Sequence, residues 1–235
     1  MDLSTVVVAT TREVLAQLPP GPLSAPAEAR RRTLRSPSDR DDFVAARLLA
    51  ARLLREAGVG DVAPADLGQS CDVCGGEHGR PVPLSGLHVS WSHSHGWVAA
   101  GVSAARLGVD VEAEVGAGVA ADAGGGLPKE ALTGTERAFV AQAPDAARTF
   151  RLAWTAKEAC VKAGAAQLDR IGEFDVLAGP DRLLPSTGAL LLSAHRLRGA
   201  TAAAASASRP TWHTLGRDGA LVPLPGSGRA VGTPA

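Results

Sequence analysis

Gly108-Val109-Asp110-Val111-Glu112 and Trp154-Thr155-Ala156-Lys157-Glu158-Ala159-Cys160-Val161-Lys162 are the two charged stretches from which the rest of the chain is read. In the first, apolar and acidic residues alternate. That period predicts a β-strand with Asp110 and Glu112 on one face. The second is a run of good helix formers without Gly or Pro, and predicts a helix with Glu158 and Lys162 one turn apart on one side. Two carboxylates from a strand and one from a helix suit a hard cation, with positions left for water and phosphate oxygens. A lysine beside them meets phosphate charge. The chemistry suggested is metal-assisted phosphoryl transfer.

Working outward, residues 3–9 form an apolar, β-branched run expected as an opening strand. Residues 11–18 are expected as a helix closed by Pro19-Pro20-Gly21. Residues 27–40 are arginine-rich. From Asp39 the pattern predicts the first long helix, with Asp39 or Asp41 as N-cap, Arg47 within it and a stop at Gly58. Residues 87–104 read as two strands around His95-Gly96, and 174–177, 189–193 and 201–207 as further strands. The segments around Gly96 and Gly199 resemble one another and hint at an internal duplication. Residues 115–126 are a Gly/Ala loop, expected to be mobile. Its Gly116-x-Gly118-x-x-Ala121 fails as a dinucleotide fingerprint, because the acid that should follow it precedes it. From 223 to 235 Pro, Gly and Ser dominate, and a disordered tail is expected.

The chain has 235 residues, of which 45% are hydrophobic, but aromatics are only 3% and tyrosine is absent. Its core must be built from Ala, Val and Leu. The length suits one domain or two small ones of roughly 100 residues each. Formal net charge is zero, so no global field points to nucleic acid or to an anionic membrane. Basic residues are nearly all arginine. Lysine occurs only at 129, 157 and 162, which hints at a chemical need for the amine in the helix motif. Asp2 stands where a signal peptide would be basic, no stretch approaches ~20 apolar residues, and the cysteine count is odd. The protein is expected to be cytoplasmic.

Cys71-Asp72-Val73-Cys74 with His78 leaves three readings open: a reduced thiol pair on a loop, a zinc site lacking a fourth ligand, or a redox dithiol. The adjoining His78-Gly79-Arg80-Pro81 makes a turn that brings backbone and a guanidinium up to a phosphate. Ser92 and His93 are neighbours on a strand. They point to opposite faces, which excludes a Ser92–His93–Asp110 hydrolase triad.

The pair Val109-Asp110-Val111-Glu112 and Trp154-x-x-Lys157-Glu158-Ala159-x-x-Lys162 resembles the signature of 4′-phosphopantetheinyl transferases, and by length the Sfp-type branch. Gly79-Arg80-Pro81 resembles that family's coenzyme A loop, and Ser92-His93-Ser94 its Ser-His segment, with Ser90 where asparagine is often seen. The resemblance covers roughly residues 30–164. It implies an α+β fold of two pseudo-symmetric halves, each a small antiparallel sheet packed on a long helix. The division expected is 1–105 (coenzyme A nucleotide contacts), 106–222 (metal and catalytic motifs) and a tail over 223–235.

In the family's reaction 4′-phosphopantetheine passes from coenzyme A to a serine of an acyl or peptidyl carrier protein, releasing 3′,5′-ADP. The resemblance implies Mg²⁺ on Asp110, Glu112 and Glu158, with Glu158 as first choice of general base and Glu136 as runner-up. It implies Lys162 on the leaving phosphate. Arg80, Ser92, His93, Gly79, Arg47 and one or more of Arg30, Arg31 and Arg35 would contact coenzyme A. A monomer serving secondary-metabolite carriers is expected by analogy, with no nucleic-acid or membrane partner. The alternative is a Mg²⁺-dependent phosphohydrolase or nucleotidyltransferase using the same carboxylates.

Overall fold

The computed structural model describes residues 4–114 and 129–225. The Gly/Ala stretch 115–126 lies outside them, as do residues 226–235 of the tail expected over 223–235, whereas Pro223 ends a strand.

The chain opens with β1 (Ser4–Thr10), in which Val6 and Val8 face one way and Val7 and Ala9 the other. Thr10 and Glu13 form a reciprocal capping box that starts α1 (Thr11–Gln17). α2 (Ala25–Thr33) carries the arginines, and α3 (Pro37–Glu56) is the first long helix. α3 begins before the acids expected to cap it. Its cap is Ser36, whose hydroxyl accepts the Asp39 N–H at 3.0 Å, and Pro37 fills the first helical position, which needs no N–H. A short ladder of β2 (Gln69–Ser70) and β3 (Arg80–Pro81) closes the Cys71–Gly79 loop. β4 (His88–Ser94) and β5 (Trp97–Ser103) then pair as expected through His95-Gly96, whose φ values of 44° and 85° suit a tight hairpin turn.

The second half starts with β6 (Leu107–Ala113). After the segment outside the described residues come α4 (Gly134–Gln142) and α5 (Ala146–Lys162), the helix carrying the second motif. β7 (Leu177–Gly179) and β8 (Arg182–Leu183) form a small hairpin. β9 (Ser186–Thr187), β10 (Leu190–Leu197) and β11 (Ala200–Ser206) complete a four-stranded sheet with β6. The strand expected over 174–177 is absent except for Leu177. The Val176 N–H is taken by the Glu136 carboxylate at 2.8 Å instead of a strand partner.

The last strands correct the expected division of the chain. β12 (Thr211–Leu215) runs parallel to β1, and β13 (Leu221–Pro223) pairs with β12. Both belong to the first sheet, ordered β13-β12-β1-β5-β4. A cut at 105/106 therefore does not separate the sheets. Burial explains the return: Trp212 is 1% exposed and packs with Val6, Val8, Val109, Val111 and Ala202 between the two sheets.

The α+β architecture has four layers. α3 packs on the outer face of the first sheet, the two sheets meet face to face, and α5 packs on the outer face of the second. α5 sits unusually close to β6 because residue 108 is glycine. A Cβ there would lie 2.1 Å from the Ala159 carbonyl oxygen and 2.3 Å from the Ala163 nitrogen. This approach brings Glu158 and Lys162 over the acidic face of β6.

Candidate active site

β4 and β6 are edge strands of different sheets, and they meet along a seam of serine side chains. The Ser90 hydroxyl accepts the Val109 N–H at 3.0 Å, and the Ser94 hydroxyl accepts the Ala113 N–H at 3.3 Å. Ser92 donates to Asp110 Oδ1 at 2.7 Å, and Ser94 donates to Glu112 Oε2 at 2.9 Å. Serines at every second position thus join the two edges where backbone pairing is absent. Ser90, the departure from asparagine, keeps a seam hydrogen bond.

Asp110 and Glu112 share the face of β6 turned toward α5, as their spacing predicts. The Lys162 ammonium donates to Asp110 Oδ1 at 2.5 Å and to the Ser92 hydroxyl at 2.9 Å. Trp154, one turn before Glu158, donates its indole N–H to Glu112 Oε1 at 3.1 Å. Burial, and then the Asp110 charge, push the Glu112 carboxyl above its ordinary value. Burial also raises Glu158, with Asp110 and Glu112 adding to the rise and Lys162 opposing it. Three carboxylates therefore stand near one lysine.

Asp110 Oδ2 is buried without a hydrogen-bond partner, and so is the hydroxyl of Thr201, which pairs in register with Glu112. An orphaned carboxylate oxygen inside an excess of negative charge fits a hard divalent cation. The three carboxylates do not converge to one point, however. Among the described residues, the trio of potential ligands whose atoms lie within 4.8 Å of one another is Cys71, Cys74 and His78.

Ser92 and Lys162 line one wall of a cleft of about 820 Å³ between α3, α2, the β2–β3 loop and the end of α5. Arg47, Gly79, Arg80 and His93 line it too. Arg47 is 4% exposed, with its guanidinium 3.5 Å from the Phe43 ring centroid and donating to Gln69 Oε1 at 2.9 Å. Burial lowers its pKa to about 10, so it stays charged at neutral pH. Gln69 in turn donates to the Gly79 carbonyl at 2.6 Å. Arg80 pairs with Asp72. The His93 ring meets the edge of Phe43 at 6.3 Å. Burial lowers its pKa, helped by Lys162 and Arg47 and opposed by Asp42, so the imidazole is neutral at pH 7. Ser92 and His93 do face different groups.

Two of the expected arginines lie elsewhere. Arg31 is held by Glu28 through two hydrogen bonds of 2.8 Å, and Arg35 is exposed outside the cleft lining. Arg30 faces the cleft in their place. The sequence holds that signal: Glu28 reaches Arg31 and Arg32 at i+3 and i+4, while Arg30 follows Pro26 by one turn.

Glu136 is not at the site. It is fully buried, 2.7 Å from Lys157, and accepts the N–H groups of Thr133 and Val176. Lys157 also donates to the carbonyls of Ala131 and Ile171, each at 2.9 Å. That lysine holds the chain around α5 together and does not reach the cleft. A carboxylate so enclosed cannot take a proton from a substrate.

Residues 106–202 match the model of the 4′-phosphopantetheinyl transferase superfamily. Over that segment the chain is similar to the superfamily's domain. No curated protein matches the chain. The matched transferase segment contains β6, α5 and their carboxylates. The cleft residues of α2, α3, the β2–β3 loop and β4 lie before it.

Proposed function

We propose that the protein is an Sfp-type transferase that moves 4′-phosphopantetheine from coenzyme A to a serine hydroxyl of an acyl or peptidyl carrier protein. One observation carries this. Behind the cleft wall made by Ser92 and Lys162, Glu158 stands within electrostatic reach of Asp110 and Glu112, and Asp110 Oδ2 is unpartnered, inside the segment matched to the superfamily.

Asp110, Glu112 and Glu158 would hold Mg²⁺, which when bound neutralises pyrophosphate charge as a Lewis acid. The guanidiniums of Arg30, Arg47 and Arg80, with His93, bind the nucleotide phosphates. The carrier serine oxygen forms a bond to the pantetheine-side phosphorus while the pyrophosphate P–O bond breaks, and 3′,5′-ADP departs. The serine is a weak nucleophile, and Glu158 accepts its proton. The Lys162 ammonium meets the charge on the departing phosphate.

The test is to incubate the protein with coenzyme A, Mg²⁺ and an apo carrier protein, and to weigh the carrier intact. A gain of one phosphopantetheine, lost with EDTA and lowered ~100-fold or more by Asp110→Ala, is expected. Release of phosphate from coenzyme A or a nucleotide without carrier modification would favour a phosphohydrolase and overturn the proposal.

A further inference from the structure

We propose that Cys71 Sγ, Cys74 Sγ and His78 Nε2 bind one zinc-class divalent ion, which fastens the loop that presents Gly79 and Arg80 to the cleft. The inference does not depend on which reaction the cleft performs.

The three ligand atoms already lie within 4.8 Å of one another, and Cys74 Sγ stands 3.1 Å from His78 Nε2. Ligands around a tetrahedral zinc stand about 3.6–3.8 Å apart, given its bond lengths, so closing on an ion needs only small side-chain shifts. The backbone is folded into a knuckle. The Gly75 N–H donates to the Cys71 carbonyl at 2.8 Å, the Cys71 N–H to the Gly76 carbonyl at 3.0 Å, and the His78 N–H to the same carbonyl at 2.8 Å.

Gly76 packs directly beneath two of the ligands. A Cβ there would lie 3.3 Å from both Cys74 Sγ and His78 Nε2, so any side chain would crowd the space between them. Two thiolates and an imidazole select a borderline-soft ion such as Zn²⁺ over Mg²⁺ or Ca²⁺. Three protein ligands leave the fourth position to water. Binding displaces both thiol protons to solvent and uses the neutral imidazole.

The ion's place in the fold gives it a mechanical role. The loop is closed below by the β2–β3 ladder, with Ser70 opposite Arg80 and Gln69 opposite Pro81. Asp72, between the two cysteines, pairs with Arg80, and Gln69 links the Gly79 carbonyl to Arg47. An ion on 71, 74 and 78 therefore fixes the strand end from which Arg80 enters the cleft. In a chain with few apolar contacts in this segment, a metal is an economical fastener.

The full chain is purified under reducing conditions and its metal content measured. It is then stripped and titrated with Co²⁺ while hydrogen exchange is followed over 71–81. About one metal per chain and a thiolate-to-cobalt charge-transfer band are expected. Cys74→Ser should lose the band, and metal should slow exchange at residues 79–81. Cys160 is buried in the α5 core and common to both proteins, so it does not supply the band. Strongly substoichiometric metal, with Cys71 and Cys74 alkylated equally fast with and without zinc, would overturn the site. Bound metal with unchanged exchange at 79–81 would overturn the fastening role.

Discussion

At the scale of single residues, the site is a charge imbalance held in place. Asp110, Glu112 and Glu158 face one nearby ammonium, Lys162, and the two glutamates are raised from their ordinary value of 4.5. Between that value and the higher folded one, the folded chain keeps a proton the unfolded chain has released. Their stabilising contribution is therefore full below 4.5 and is lost as pH rises through the folded values. Glu158→Gln removes one such group. Without metal, its melting temperature at neutral pH should exceed that of the parent, and the difference should vanish on acidification. Saturating Mg²⁺ should reverse the order, because the parent then gains more from the ion. Calorimetry in EDTA and in Mg²⁺ checks both signs. A parent that melts higher in EDTA at neutral pH would mean that burial and the neighbouring carboxylates do not raise Glu158.

At the scale of elements, sequence and structure part at α4 and α5. The lysine pair of the second motif suggests a shared chemical need, yet the two amines turn opposite ways. Residues 157 and 162 are five apart, about 500° around a helix of 3.6 residues per turn, or some 140° between their directions. Lys162 reaches the cleft, while Lys157 enters a sealed pocket with Glu136. Period alone separates the faces. Which face meets solvent depends on where β6 and the Leu168–Glu173 turn pack. Breaking a buried ion pair leaves the remaining charge without compensation and costs about 3–5 kcal/mol. Glu136→Gln should therefore lower unfolding free energy by that order, measured by urea titration, while carrier modification per folded molecule is unchanged. A selective loss of turnover at intact stability would return Glu136 to the reaction.

At the scale of the whole molecule, the sheets depend on each other through β12. Trp212 lies between them, donates its indole N–H to Ser193 at 3.2 Å, and stacks obliquely on His195 at 4.8 Å. Because this strand belongs to the first sheet and packs on the second, the described residues should unfold in one cooperative step. Trp212→Ala should cost about 3–5 kcal/mol. Calorimetric and van't Hoff enthalpies should agree in the parent. Two resolved transitions would show that the halves fold independently.

The local patterns were legible in the chain alone. Alternation over Gly108–Glu112 marked β6 and the shared face of its acids, helix formers over Trp154–Lys162 marked α5, and His95-Gly96 marked the hairpin. Each depends on near-neighbour geometry, which period and turn chemistry encode. Tertiary structure decided what depends on distant partners: the return of β12 to β1 and the closing of Glu136 onto Lys157. It also decided the serine seam and the gathering of Cys71, Cys74 and His78. A side chain's role there is set by which surface packs against it, and that surface is contributed by residues far away in the sequence.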